Sequence, residues 1–166
     1  MSAPESRFVK ACKAQPVDRT PVWFMRQAGR YMAEYRAVRK QYSLIEICKK
    51  PEVAADVTIT AAEALGVDAA IIFADLLLPL EVMGMPFHFS PGEGPVIEKP
   101  LREKAHVEAL CTDHAADLGY VAEAVKLVAK HFGCARSCVT VVSGATARLK
   151  LVRVSGTAGG EANGAA

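Results

Sequence analysis

The sequence predicts an α/β fold, and three observations carry that prediction. Val22 to Met25 is a short apolar run after turn chemistry at Asp18 to Pro21, which reads as a strand. Ala69 to Phe73 is continuously apolar, which suits a strand covered on both faces, as in a parallel sheet. Each run is followed by helical patterning, and strand, helices, strand, helices is the rhythm of an α/β chain.

The elements follow in order. The loop Arg26 to Arg30 leaves the first strand. From Ala33 to Tyr42, the spacing of Tyr31, Tyr35, Val38 and Tyr42 gives one aromatic and apolar face, with Arg36 and Lys40 on a solvated face and Arg39 at its edge. Ser43 to Glu46 has the form of a capping box and starts a short helix. Pro51 at the start and Gly66 at the end bracket a helix over Glu52 to Leu65. Leu76 to Gly84 reads as a short helix. Pro86 to Phe89 and Val96-Ile97 are extended pieces around the turn Pro91 to Pro95. Arg102 to Leu110 and Asp117 to Phe132 are helical by pattern, the second ending at Gly133. Val139 to Val142 reads as a strand, while Ala145 to Ala166 is small residues, arginine and glycine with little periodicity and little to bury.

At 166 residues the chain is long enough for one domain, and 51% hydrophobic residues is a globular composition. A net charge of +2 supplies no general field for nucleic acid or acidic membranes, so any basic function is local. Met1 to Lys13 has no apolar signal core, and Asp75, Pro79 and Glu81 break the most apolar stretch, so neither secretion nor membrane spanning is expected. Five cysteines without framework spacing suit reduced thiols in a cytoplasm. His131 with Cys134 and Cys138, or Cys111 with His114, lacks the paired spacing of a structural zinc site, so no metal is predicted.

The candidate chemistry lies where the two strands end. Arg26, Arg30 and Asp75 each fall at the C-terminal end of a predicted strand, the edge at which α/β folds bind ligands. Arginine suits carboxylate or phosphate because its planar fork donates two parallel hydrogen bonds and keeps its charge. Gly29 lets the loop turn or lie close to a ligand. Asp75 could instead form a structural ion pair with either arginine, but two arginines for one acid point to a missing anion.

"RTPVWFMRQAGRYMAEYR", "GVDAAIIFADLLLPLEVMGM" and "GEGPVIEKPLR" together resemble the N-terminal half of the uroporphyrinogen decarboxylase family, from about Arg7 to Gly133. The resemblance implies the N-terminal part of a (β/α)8 TIM barrel, truncated, since the family needs roughly twice this length. It implies a cofactor-independent carboxy-lyase of haem biosynthesis that removes the four acetate carboxyl groups of uroporphyrinogen to give coproporphyrinogen, with a homodimer for the full-length family. By motif match, Arg26, Gln27, Ala28, Gly29 and Arg30 form the substrate-binding loop, Arg39 is a further carboxylate contact, and Asp75 faces the four pyrrole NH groups. Asp75, Arg26 and Arg30 are the catalytic candidates.

Two local departures are Ala33 where the family usually has proline and Ala74 where it has serine. After Gly133 the family's third strand and later contacts are missing. Residues 1–133 are therefore expected to be the barrel-like part and 134–166 a divergent, poorly ordered tail. The alternatives are a related corrinoid methyltransferase and a non-catalytic anion-binding fragment; the arginine motif favours the decarboxylase over the methyltransferase.

Overall fold

The computed structural model describes residues 6–90, 94–133, 139–143 and 151–154. In chain order the elements are α1 (Arg7–Cys12), α2 (Ala33–Gln41), α3 (Leu44–Lys49), α4 (Pro51–Leu65), α5 (Leu78–Val82), β1 (Phe87–Ser90), β2 (Gly94–Ile97), α6 (Lys104–Glu108), a 3-10 turn (Ala115–Leu118), α7 (Gly119–His131), β3 (Val139–Ser143) and β4 (Leu151–Val154). Both sheets are antiparallel hairpins. β1 and β2 pair from Phe87 opposite Ile97 to Ser90 opposite Gly94. β3 and β4 pair from Val139 opposite Val154, with an irregularity between Val141 and Ser143.

The helices start and stop where local chemistry dictates. Ser43 accepts from the Glu46 amide while the Glu46 carboxylate accepts from the Ser43 amide, so two donors at the start of α3 are satisfied reciprocally. Pro51 opens α4, where a missing N–H costs nothing, and Gly66 closes it in the left-handed region at φ 58°. α4 buries Ala54, Ala55, Ala61 and Ala62, and this line of small side chains lets α3 and α7 pack closely against it. The core beside it is Met32, Tyr35, Ile47, Val57 and Ala61, with Phe73 packed on it. The Tyr35 and Phe73 rings are tilted against each other with centroids 5.4 Å apart, within the range at which aromatic pairs attract.

The two predicted strands are corrected. Neither Val22 to Met25 nor Ala69 to Phe73 carries a ladder, and no parallel sheet is present among the described residues. The physical reason is partnership: a strand exists only if a neighbour takes its backbone groups, and here side chains take them instead. The segments touch through one backbone hydrogen bond, from the Asp68 amide to the Val22 carbonyl at 2.8 Å. The Asp68 carboxylate accepts from the Val22 amide at 2.9 Å, and Thr58 Oγ1 accepts from the Phe73 amide at 2.8 Å while donating to the Ala54 carbonyl. Lacking sheet neighbours, Val22, Trp23, Phe24, Met25 and Ile71 stay exposed.

α1 has no counterpart in the sequence reading. Ser6 caps it, and its Arg7 grips both Asp18 oxygens, at 2.5 and 2.6 Å, and Asp68 Oδ1 at 2.5 Å. The strand expected at Val139 to Val142 is present as β3. The other residues of 134–166, and with them the expectation of poor packing there, lie outside the described residues, β4 excepted.

Two outcomes test these ties. Thr58 is buried, and Thr58→Val keeps its shape while leaving the Phe73 amide without an acceptor; urea unfolding should show a loss of about 1–3 kcal/mol. The Arg7 guanidinium holds the Asp18 carboxyl well below the usual carboxylate range, and the Val22 amide, helped by Arg7, lowers that of Asp68. Both folded values are depressed, so this stabilisation is present above the unfolded value of about 4 and is lost as pH falls through the folded values. The melting temperature should drop on acidification below about pH 4, and less steeply in Asp68→Asn than in the native chain.

Candidate functional site

The loop from Arg26 to Arg30 alternates between solvent and core. Arg26 and Arg30 are exposed, Gln27 is buried, and Ala28 and Gly29 are half-buried, with Ala28 packed on the core. Three contacts hold the loop's shape. The Tyr31 hydroxyl donates to the Gln27 carbonyl, and the Met32 amide donates to the Gly29 carbonyl at 2.9 Å. The Tyr31 ring lies so close over Gly29 that a Cβ there would meet its ring carbons at 2.9 and 3.0 Å. Glycine lets the Tyr31 ring lie there, and any larger residue would have to displace it.

Gln27 anchors the loop to the second segment. Its side-chain nitrogen donates to the Ala69 carbonyl at 2.6 Å, and its side-chain oxygen accepts from the Ile71 amide at 2.9 Å. Arg36, which the sequence places on a solvated helix face, donates from one nitrogen to the Arg30 and Tyr31 carbonyls at 2.9 and 3.0 Å. It braces the loop's far end from the first turn of α2. The signal for it was spacing alone, because one and a half helical turns bring a long side chain back over the residues that precede a helix.

Asp75 sits half-buried just before α5. Its Oδ1 accepts from the Leu77 amide at 2.8 Å, a local turn that fixes the carboxylate's orientation. Among the described residues Asp75 makes no ion pair with Arg26 or Arg30. Arg39 donates to the Tyr42 carbonyl at 2.7 Å, which holds its side chain along the end of α2.

Two buried groups feel these charges. Burial pushes the Tyr35 phenol up, while the charges of Arg39 and, more weakly, Arg30 pull it back. Burial pushes the Cys48 thiol up to about 11, the Asp75 charge adds to this, and Arg39 opposes it. Arg39 is thus felt by both groups, Arg30 by one and Asp75 by the other. Tyr35 and Cys48, the buried groups that feel these charges, are the floor of the candidate site. Arg26 is exposed at the loop's near end.

Among the described residues no group of three or more histidines, cysteines or acids could hold a metal ion. His131 pairs with Glu63 at 2.7 Å and His114 with Asp117 at 3.4 Å, while Cys134 and Cys138 lie outside the described residues. No helix among the described residues is long and apolar enough to cross a membrane.

The fold and site define an α/β chain with an exposed cationic loop and a separate carboxylate oriented by a backbone amide. Residues 3–161 match the family model described as uroporphyrinogen decarboxylase (URO-D), and the chain belongs to that family. It is 80% identical over 133 residues to the uroporphyrinogen decarboxylase of Koribacter versatilis, an alignment covering 80% of this chain and 38% of that protein. It is 59% identical to the protein of that name in Sorangium cellulosum and 54% to that in Solibacter usitatus, each over 125 residues covering 75% of this chain and 36% of the relative. The chain therefore spans little more than a third of the length of these relatives.

Cys48 provides a check on the site's floor. At pH 8 a thiol held near 11 is ionised in about one molecule in a thousand. Alkylation followed by peptide mass spectrometry should label exposed Cys12 in the native chain and Cys48 only on unfolding. Equal labelling of both under native conditions would show the floor to be open.

Proposed function

We propose that this chain supplies the carboxylate-anchoring loop and the central aspartate of a uroporphyrinogen decarboxylase, within the first part of a (β/α)8 barrel. Residues 1–133 carry this part. We read 134–166 as a divergent segment, a reading supported by the 125 to 133 residues over which the relatives align and opposed by a family match that continues to residue 161.

One observation carries the proposal: Arg26 and Arg30 are exposed on a loop that Gln27 ties to the segment leading to Asp75, and neither arginine forms an ion pair with Asp75. A structural ion pair would leave no reason for exposed arginines at Arg26 and Arg30. A substrate with eight carboxylates gives them one, because each guanidinium can take a carboxylate through two parallel hydrogen bonds. Asp75, oriented by the Leu77 amide, keeps its second oxygen for pyrrole N–H groups. Loss of carbon dioxide from a pyrrole acetate is helped by protonating the ring, which makes it cationic, and a fixed carboxylate stabilises that charge. The arginines hold the substrate so that one acetate at a time meets the proton donor.

A second reading, anion binding without turnover, is favoured by the span of 36 to 38% of the relatives' length. Two measurements separate the readings. The 166-residue chain should bind uroporphyrin, the stable oxidised octacarboxylate, more tightly than the tetracarboxylate coproporphyrin, with little or no conversion of uroporphyrinogen. Arg26→Lys or Arg30→Lys should weaken that binding about tenfold, as expected for one charge-assisted hydrogen bond. In the Koribacter versatilis enzyme, asparagine at the position aligned with Asp75 should lower turnover by about 100- to 1000-fold with the melting temperature retained. Lysine variants that bind like the native chain would remove the carboxylate clamp, and normal turnover by the 166-residue chain would remove the non-catalytic reading.

A further inference from the structure

Gln27 belongs by motif to the substrate-binding loop, yet its side chain is 3% exposed and both of its polar atoms are taken by the backbone of another segment. The pattern of those bonds is specific. In a parallel sheet, one residue of a strand donates its N–H to a carbonyl of the neighbour and accepts, through its own carbonyl, from the amide found two residues further on. The Gln27 amide does the same, donating to Ala69 O and accepting from Ile71 N. A primary amide carries a donor and an acceptor on one planar group and can present both to the same side, as a strand residue does with its own N–H and C=O.

We propose that Gln27 is a positioning residue whose side-chain amide stands in for a residue of a neighbouring strand, fixing the arginine loop against the segment that carries Asp75. The inference rests on the proposed function and deepens it. Gln27 lies directly after Arg26 and three residues before Arg30, and Ile71 lies four residues before Asp75. One side chain therefore sets the spacing between the cationic loop and the anionic group. Its main chain is pinned as well, through the Tyr31 hydroxyl, so the amide cannot swing away without releasing the loop. Only a side chain of this length with both a donor and an acceptor satisfies Ala69 and Ile71 together. Asparagine is a methylene short, ionised glutamate accepts but cannot donate, and methionine fills the space with neither function. Displacement of about 1 Å at such a joint is enough to weaken a multi-point clamp substantially.

The test uses the 166-residue chain and two readouts. Amide exchange followed by NMR reports the Ile71 N–H in the unliganded chain, and quenching of the single tryptophan, Trp23, by uroporphyrin reports binding and the distance at which the porphyrin is held. In Gln27→Met the Ile71 amide should exchange about tenfold faster or more while α4 keeps its native protection; uroporphyrin affinity should fall about tenfold, and the quenching at saturation should change. Gln27→Glu keeps the acceptor and should restore much of the Ile71 protection. Unchanged Ile71 exchange in Gln27→Met overturns the proposal, and with weakened binding it would make Gln27 a direct ligand contact. Loss of protection throughout α4 alongside Ile71 also overturns it, by making Gln27 an ordinary core residue. If the native chain binds no uroporphyrin, the proposed function fails, while Ile71 exchange in the variants still decides whether the tether exists.

Discussion

The structure depends on tying residues 68–73 to the rest of the chain without a sheet. This segment runs half-buried to exposed beside the core with no ladder, and four of its backbone groups are taken by partners from elsewhere. Asp68 exchanges hydrogen bonds with Val22, Gln27 takes Ala69 and Ile71, and Thr58 takes Phe73. The partners come from the first apolar segment, the arginine loop and α4. Through Asp68 the chain of ties reaches Arg7 and so α1. Satisfying one segment's polar atoms thus connects four parts of the molecule.

Those ties also decide where charge sits. Gln27 turns into the core, and its neighbours Arg26 and Arg30 consequently face solvent. Gly29 leaves room for the Tyr31 ring, and Arg36 holds the carbonyls at the loop's end. Behind the loop, Tyr35 and Phe73 form an apolar wall, and Cys48 is buried beside Asp75. Apolar backing lowers the local dielectric response, so charges along it act on one another and on a ligand more strongly than they would in water.

What was legible in the sequence was local. The capping box at Ser43, the proline and glycine that bracket α4 and the β1–β2 hairpin all depend on residues within one or two turns of each other, and all are present; of the apolar face read on α2, Tyr35, Val38 and Tyr42 pack at the core while Tyr31 lies exposed before the helix. The strands at Val22 and Ala69 were not settled by their composition, because apolar runs become strands only when a distant neighbour pairs with them. Arg7 with Asp68 and Gln27 with Ile71 are separated by 61 and 44 positions, and no pattern within either segment announces them. Arg36 was read as solvated because its charge is on the outer face of α2; its carbonyl contacts come from the preceding loop, whose path the helix pattern does not specify. At the site, Arg26, Arg30, Arg39 and Asp75 were each legible as residue types. The role of Gln27 was hidden by its motif, which groups it with the loop's exposed arginines.

The separation between Asp75 and the arginines has a chemical consequence. A carboxylate in a tight pair with a guanidinium presents a nearly neutral unit, and its field at a substrate ring is largely cancelled. Asp75 is oriented instead by a backbone amide, which fixes its direction and leaves its full negative charge. Arg39 is held along the end of α2 by the Tyr42 carbonyl and the Arg30 side chain is exposed, so in the proposed role both keep their charge for a carboxylate ligand. A macrocycle with an electron-rich centre and anionic rim requires opposite signs at two radii, negative toward the centre and positive toward the edge. In the proposed role, the loop, its Gln27 anchor and the Asp75 turn supply that arrangement only while the two signs are kept from collapsing onto each other. In that role, the hydrogen bonds from the Gln27 side chain to residues 69 and 71 are what hold them apart.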